Sequence, residues 1–404
     1  MSGPLTGLTV VDVTSAAAGP FAAALLGQLG AEVIKIEPPT GDRIHVVLPT
    51  QQGRSTTYMA MNVNKRGMIL DLKNPQEYAI ALGFIDASDI FLENYRRGVA
   101  ERLGLDYATL SARNPRLIYC TIAGWGERGP WATLANIDPY VQAAGGFASI
   151  TGSPGSRAES MRYYGHLDLT TSCTAVQAIL TALYARHKTG TGQYLQTSLL
   201  AANMALQATR IAEYFATGAN PPRLGHAVRN HVPHQAFATQ THWIAVAVHT
   251  AEEWHALCTA LEVPQLIDDP RFVHNAARVE HRQKLIPILQ ERFRHKPALW
   301  WVQLLGRWRV PCGLFMGYPA LRHHQQVRAN DLIVELDTPR GRLHVGGIPW
   351  HFSTTPCTLQ PPTEPGQYTQ VYIQRAGVPL AAIPGAMDET PKFVDTATQV
   401  SRPF

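Results

Sequence analysis

The first third of the chain alternates short β-branched runs with longer helical patterns, the arrangement that builds a parallel sheet covered by helices. LTVVDV at 8–13 is apolar except for its aspartate and threonine, which predicts a buried strand. TSAAAGP and the Ala-rich FAAALLGQLG follow, and Gly30 closes the helix that they predict. EVIKIE at 32–37 is a second strand, completing one βαβ unit. Further strands are predicted at 68–72 (MILDL), 89–92 (DIFL) and 117–123 (LIYCTIA), with a helix over 75–86 opened by Asn74-Pro75.

After Asp168, the residues Val176, Ile179, Leu180, Leu183 and Tyr184 recur at helical spacing until Gly190 and Gly192 break the pattern. Ala175, Ala178, Ala182 and Ala185 leave room for a close neighbour. The stretch 195–217 predicts another helix, and ANPPRLGHAVRNHVPH at 219–234 reads as a linker into a second unit. There, HWIAVAV at 242–248 predicts a strand, AEEWHALCTALEV an amphipathic helix, and 278–307 mostly helix. The Pro-rich 348–365 and the polar tail after Met387 predict loops that wrap a surface. No internal repeat is visible.

Composition narrows the class. At 404 residues the chain exceeds what one hydrophobic core serves, so two units, or one with an insertion, are expected. Hydrophobic residues are 45% and charged residues 16%, which excludes a disordered or fibrous chain and points to a large buried area, a subunit interface included. The net charge of +5 comes without any Lys/Arg run, arguing against nucleic-acid or membrane partners while leaving room for a basic pocket. Five cysteines lie scattered, with no CxxC pair, so neither a disulfide framework nor a zinc site is signalled and a reducing compartment is expected. The start MSGPLTGLTVVDV has no secretory pattern, and no run of about 18 apolar residues occurs; a soluble, cytoplasmic protein is the expectation.

Four segments carry candidate chemistry, each beside a plainer reading. TSAAAGP joins a strand to a helix and can offer backbone N–H groups to an anion, or serve only as a turn. MNVNKRGMILDLK holds Lys65, Arg66 and Lys73 as donors to phosphate, or as a solvated loop. LENYRRGVAERLGLDY gathers Arg96, Arg97 and Arg102 around Asn94 and Tyr95, where guanidinium can meet phosphate and the ring can flank a base; an amphipathic helix start is the alternative. Asp168 precedes a helix that looks buried: a carboxylate there is either a cap or a nucleophile. His166 reads as a core histidine or a proton-transfer group. The sixteen histidines show no H-E-x-x-H spacing, so no metal is expected, and no GxSxG elbow appears.

Taken in order, these segments resemble the class III CoA-transferases, the family of formyl-CoA transferase, carnitine CoA-transferase and the acyl-CoA racemases. The resemblance is carried by PLTGLTVVDVTSAAAGPFAAALLGQLGAEVIKIEPPTGD, NKRGMILDLKN, DIFLENYRRGVAERLGLDYATLSARNPRLIYCTIAGWGERGP and DPYVQAAGG. It continues through YGHLDLTTSCTAVQAILTALYARHKTGTGQYLQTSLL, DDPRFVHNAARVEHR, VPCG and GQYTQ, spanning residues 4 to about 376.

The resemblance implies an α/β fold: a large Rossmann-like domain formed by both chain ends (1–224 and 326–404), a smaller α/β domain inserted at 225–325, and two chains interlocked as a dimer. It assigns catalysis to Asp168, as an aspartyl anhydride and then an aspartyl-CoA thioester, with oxyanions held by backbone N–H groups near the turn. It assigns CoA contacts to Ser15, Ala16, Ala17, Leu70, Lys73, Asn94, Tyr95 and Arg102. CoA is then a substrate and no tightly bound cofactor is implied; the partners are an acyl-CoA and a small carboxylic acid, in a homodimer or with a related subunit. Departures sharpen the expectation. Ala17 and Pro38 stand where formyl-CoA transferase has a glutamine and a basic residue, and His249-Thr250 falls in its glycine-rich active-site loop. Ile137-Asp138 replaces the racemases' His-Asp pair, which favours transfer over racemisation. The expected substrates are small dicarboxylates such as succinate, malate or mesaconate, with intramolecular transfer, a racemase and a non-catalytic CoA-binding subunit as the alternatives.

Overall fold

The computed structural model describes residues 3–156, 159 and 165–375. Six strands form one fully parallel sheet: β1 (Thr9–Asp12), β2 (Glu32–Glu37), β3 (Lys65–Ile69), β4 (Ile90–Glu93), β5 (Ile118–Ala123) and β6 (Gln193–Ser198). Their spatial order is β3-β2-β1-β4-β5-β6, so the winding direction reverses between β1 and β4. At such a reversal the loops leaving the two carboxyl ends diverge, and a crevice opens between them.

Helices α1 (Ala18–Gln28), α2 (Pro75–Asp86), α3 (Asp138–Ala144), α4 (His166–Thr189), α5 (Leu199–Leu206) and α6 (Ala208–Thr217) follow from these strands. Because side chains alternate across a strand, β1, β2, β4 and β5 each feed two cores. Val10, Val33, Ile90, Leu92 and Ile118 join Ala22, Leu26, Ala175 and Ile179 of α1 and α4. Val11, Ile34, Met68, Phe91 and Tyr119 join Ile80 and Ile85 of α2 on the other face. The alanines at the α1–α4 contact allow the Ser172 hydroxyl to donate to the Ala18 carbonyl at 2.6 Å.

The described residues fall into two compact units, one within Met1–Phe147, Met161–Thr217 and Gln326–Phe404, the other within Ala148–Ser160 and Gly218–Gln325. The second has its own antiparallel sheet, β7 (His234–Ala238), β8 (Trp243–Ala247) and β9 (Cys312–Leu314), with β8 central. Phe237, Ile244, Val246 and Trp254 pack there with Leu257 of α7 (Ala251–Ala260), a helix opened by a Thr250–Glu253 capping box. In the first unit, the hairpin β10 (Ile333–Thr338) and β11 (Gly341–Gly346) precedes the irregular 348–365 and α8 (Thr369–Arg375). The hydroxyls of Thr363 and Thr369 accept from the N–H groups of Gly67 and Ile69, so this segment satisfies the free edge of β3.

Two expectations fail. The segment 195–217 is not one helix: its start belongs to edge strand β6, and α5 and α6 follow. QYLQTS runs without a break into LLAANMAL, and periodicity alone does not separate a short strand from the helix after it. β3 also lies three residues earlier than MILDL suggests, because Lys65 and Arg66 take part in the sheet. The tail after Met387 lies outside the described residues. Among the described residues no helix is long and apolar enough to cross a membrane, and no group of three His, Cys, Asp or Glu side chains is arranged to hold a metal ion.

Candidate active site

In a parallel sheet every strand points the same way, so the residues after β1, β3 and β4 share one edge. Ser15, Ala16 and Ala17 follow β1, Leu70 and Lys73 follow β3, and Asn94 and Tyr95 follow β4. Asn94 spans the crevice at the winding reversal. Its Oδ1 accepts from the Ser15 N–H at 2.9 Å, and its Nδ2 donates to the Ser15 carbonyl at 2.8 Å. Ala16 sits in the left-handed region at φ 65, a conformation that costs an alanine about 1 kcal/mol. The Asp42 carboxylate, accepting its N–H at 3.0 and 3.2 Å, holds it there. The turn's N–H groups at 15 and 16 are therefore engaged internally.

A buried charge network supports this turn. Asp12 at the end of β1 accepts from Lys65 Nζ at 2.8 Å, and Lys35 Nζ donates to the Thr14 carbonyl at 2.8 Å while lying 3.9 Å from Asp42. Burial alone would raise the Asp12 pKa, but the Lys65 and Lys35 ammonium groups, with hydrogen bonds from Lys65 and Thr14, hold it at about 2. Lys65 thus braces the scaffold and is not a phosphate donor. Arg66 likewise pairs with Glu32 and stacks on Tyr368.

The other assigned positions divide. The Leu70 side chain is buried, whereas Lys73 and Arg102 are exposed. Tyr95 is half-buried and lines a cavity of about 470 Å³ at the carboxyl ends of β4 and β5, together with Arg96, Tyr119, Glu127, Asn136 and Tyr194. Glu93 on its floor is pushed up to about 7, chiefly by burial. Asp168 is not among the lining residues of that cavity.

Asp168 lies in the first turn of α4, and the cap reading fails on geometry. Asp138, from α3, caps that helix: its Oδ2 accepts from the Leu167 N–H at 2.5 Å and the Asp168 N–H at 3.3 Å, while Gln142 donates to its Oδ1. The Asp168 carboxyl is half-buried and has no hydrogen-bond partner among the described residues. Burial first, and the Asp138 carboxylate second, push its pKa up to about 7. Gly165, at φ 69, precedes it; a Cβ there would come within 3.2 Å of Asp168 Oδ2, so glycine leaves the carboxyl its space. Asp168 is also tied to the CoA-assigned turn, because Ser172 one turn later donates to both the Asp168 and Ala18 carbonyls, at 2.8 and 2.6 Å. His166 stacks on Phe147 at 5.8 Å. Asp42 and the capping role of Asp138 escaped the sequence: each acts on a residue 26 or 29 positions away, and no local pattern marks that.

This arrangement provides a carboxyl that is unpartnered among the described residues, raised to about 7, beside a turn at the crevice of a doubly wound sheet. A family model described as CoA-transferase family III matches residues 5–367. The succinyl-CoA:glutarate CoA-transferase of Homo sapiens is 34% identical over 370 residues, 91% of this chain and 84% of that protein. The succinate–glutarate CoA-transferase of Agrobacterium fabrum is 32% identical over 372 residues, covering 89% and 92%. The crystal structure of a CAIB/BAIF family protein from Brucella suis superposes with a TM-score of 0.85 at 30% identity, over 93% of this chain and all of that one.

Proposed function

The chain belongs to CoA-transferase family III, and from that premise we propose that it moves CoA from an acyl-CoA to a small dicarboxylic acid of four or five carbons through covalent intermediates on Asp168. The observation that carries the reading is the Asp168 carboxyl itself, relieved of capping by Asp138 and left without a hydrogen-bond partner among the described residues. The names of the relatives, which pair succinyl-CoA or succinate with glutarate, support the class of acid.

The Asp168 carboxylate attacks the thioester carbonyl; the C–S bond breaks and CoA leaves as thiolate, giving a mixed anhydride. Thiolate then attacks the aspartyl carbonyl and releases the first acid as its carboxylate. The acceptor carboxylate displaces CoA from the aspartyl thioester, forming a second anhydride. Returning thiolate takes the acceptor acyl group and regenerates Asp168. No proton enters or leaves, and each step conserves an activated carbonyl, so no ATP is consumed. Water must be excluded, since either anhydride would hydrolyse. A basic carboxylate is the stronger nucleophile, which suits a group raised by burial.

The same reading has two chains interlocked as a homodimer in the cytoplasm. Phe215 on α6 is 80% exposed and Tyr184 on α4 is 63% exposed, although the helical repeat predicted an apolar face for the latter; both suit a covered surface. The cysteines are all unpaired, in keeping with a reducing compartment. Light scattering that gave a single-chain mass would end the dimer claim. For the chemistry, the protein is incubated with a panel of acyl-CoAs and acids, and product CoA esters are read by mass spectrometry. Dicarboxylyl-CoA products that vanish with Asp168→Ala are expected, and full activity in that variant overturns the mechanism.

A further inference from the structure

The turn after β1 is held at two points, and both grips are on its main chain. Asn94 takes the N–H and the carbonyl of Ser15, and the two carboxylate oxygens of Asp42 take the Ala16 N–H at 3.0 and 3.2 Å. Ser15 and Ala16 are exposed, whereas Asp42 is buried, at 6% exposure. The shape that this exposed turn presents is therefore set by a buried group 26 positions further along the chain.

Asp42 is itself fixed in place. It caps the 3₁₀ turn Arg43–Val46, its Oδ1 accepting from the Ile44 N–H at 3.2 Å, so the segment that carries it also orients it. Burial pushes its pKa up, and the Lys35 ammonium, 3.9 Å away, works against that rise. Lys35 is buried and donates to the Thr14 carbonyl at 2.8 Å, so one cation touches both the entry to the turn and the carboxylate that holds its tip. The same cation offsets the charge of Asp42, which would otherwise repel an anionic ligand at the turn.

What Asp42 supplies to the turn is a conformation. Ala16 stands at φ 65, where the Cβ of an L-residue crowds the backbone, and an alanine left to itself returns to the right-handed and extended regions. Glycine would adopt that angle freely, but this chain has alanine there and holds it with the carboxylate. We propose that Asp42 is a positioning residue for acyl-CoA: by holding Ala16 left-handed, it keeps the turn at 15–17 in the form that binds the thioester substrate. Such a role presupposes the transferase reading, with Ser15, Ala16 and Ala17 as contacts of CoA.

The test is a double-mutant cycle between positions 42 and 16 in the full-length protein. Calorimetry gives the dissociation constant for CoA, and transfer assays give kcat and the KM values for succinyl-CoA and glutarate. Asp42→Ala should raise the CoA dissociation constant and the succinyl-CoA KM about tenfold, with kcat and the glutarate KM within about threefold of the parent. Tenfold is about 1.4 kcal/mol, the size of the left-handed penalty of an alanine. In an Ala16→Gly background the same replacement should weaken CoA binding by about threefold at most, since glycine needs no carboxylate to hold that angle. Asp42→Asn keeps an acceptor for the Ala16 N–H. It should bind CoA within about threefold of the parent, even where loss of the charge opposite Lys35 lowers its melting temperature.

Equal losses in both backgrounds, unchanged affinity in Asp42→Ala, or a glutarate KM that rises as far as that of succinyl-CoA would each overturn the positioning role. Should Asp42→Ala fail to fold, Asp42→Ser takes its place in the cycle: one hydroxyl keeps the Ile44 cap but gives up the second oxygen that reaches Ala16, and the same ratios decide. A parent that binds no CoA removes the transferase reading and this role with it. A parent that binds CoA without coupling between positions 42 and 16 removes the role alone.

Discussion

Asp12 and Asp168 are carboxylates of the same unit, both withdrawn from water, and their neighbours drive them in opposite directions. Asp12 ends β1 with Lys65 at 2.8 Å and is held at about 2, whereas Asp168 opens α4 beside the Asp138 carboxylate and is raised to about 7. Burial raises both groups; the sign of the adjacent charge decides the outcome. A cation beside a buried carboxylate makes scaffold, and a second carboxylate beside one makes a group able to react at neutral pH.

The sharpest break in that comparison is Asp168→Asn. Its transfer rate should fall about a thousandfold or more, as expected when the nucleophile of a covalent route is removed. Stability should move the other way. The folded pKa of about 7 lies above the ordinary 3.8, so ionisation costs the parent stability as pH rises from 3.8 to about 7. The amide variant should therefore melt higher than the parent at pH 8 and match it near pH 4, in thermal scans at both pH values. A lower melting temperature at pH 8 would contradict the raised pKa.

Asp12→Asn should show the reverse profile, losing about 3–5 kcal/mol in urea unfolding at pH 7 because it leaves Lys65 buried without its counter-charge. With a folded value of about 2 against 3.8, the Asp12 contribution is complete above pH 4 and is lost as pH falls through 2. A loss below about 1 kcal/mol would mean the network is not a brace.

A smaller effect is the pH dependence of the parent. Because attack needs ionised Asp168, kcat/KM should rise about tenfold per pH unit up to about 7 and level above it. A profile flat from pH 5 to 8 would separate Asp168 from the rate. The smallest change is expected for Asp138→Asn, which keeps an acceptor for the Leu167 N–H but removes the like charge. The midpoint of the activity profile should shift to lower pH, with a stability cost of at most about 1 kcal/mol. An upward shift would mean that Asp138 acts on Asp168 by some means other than repulsion.

Much of the first unit was legible because its strands are short β-branched runs and its helices carry their own punctuation. Asn74-Pro75 opened α2 where the motif says it should. β6 was lost because an edge strand packs on one neighbour only and keeps polar residues, so QYLQTS carries no core signal. Asp168 could be singled out only through the ordered motifs of the family. What frees it from capping comes from Asp138, which sequence reading had weighed only for its missing histidine partner. His231, His234 and His249 become neighbours only through the pairing of β7 with β8, which no local pattern marks.

The bridge between Asn94 and Ser15 has one more consequence. A carboxamide is a peptide group in miniature, and here it meets the N–H and C=O of one residue as a neighbouring strand would, just past the last β1–β4 pairing at Asp12 and Leu92. Position 94 therefore obeys the grammar of the main chain. Aspartate would set oxygen against the Ser15 carbonyl, serine would reach neither group, and only a residue able to speak as both donor and acceptor continues the sheet's sentence into its loops.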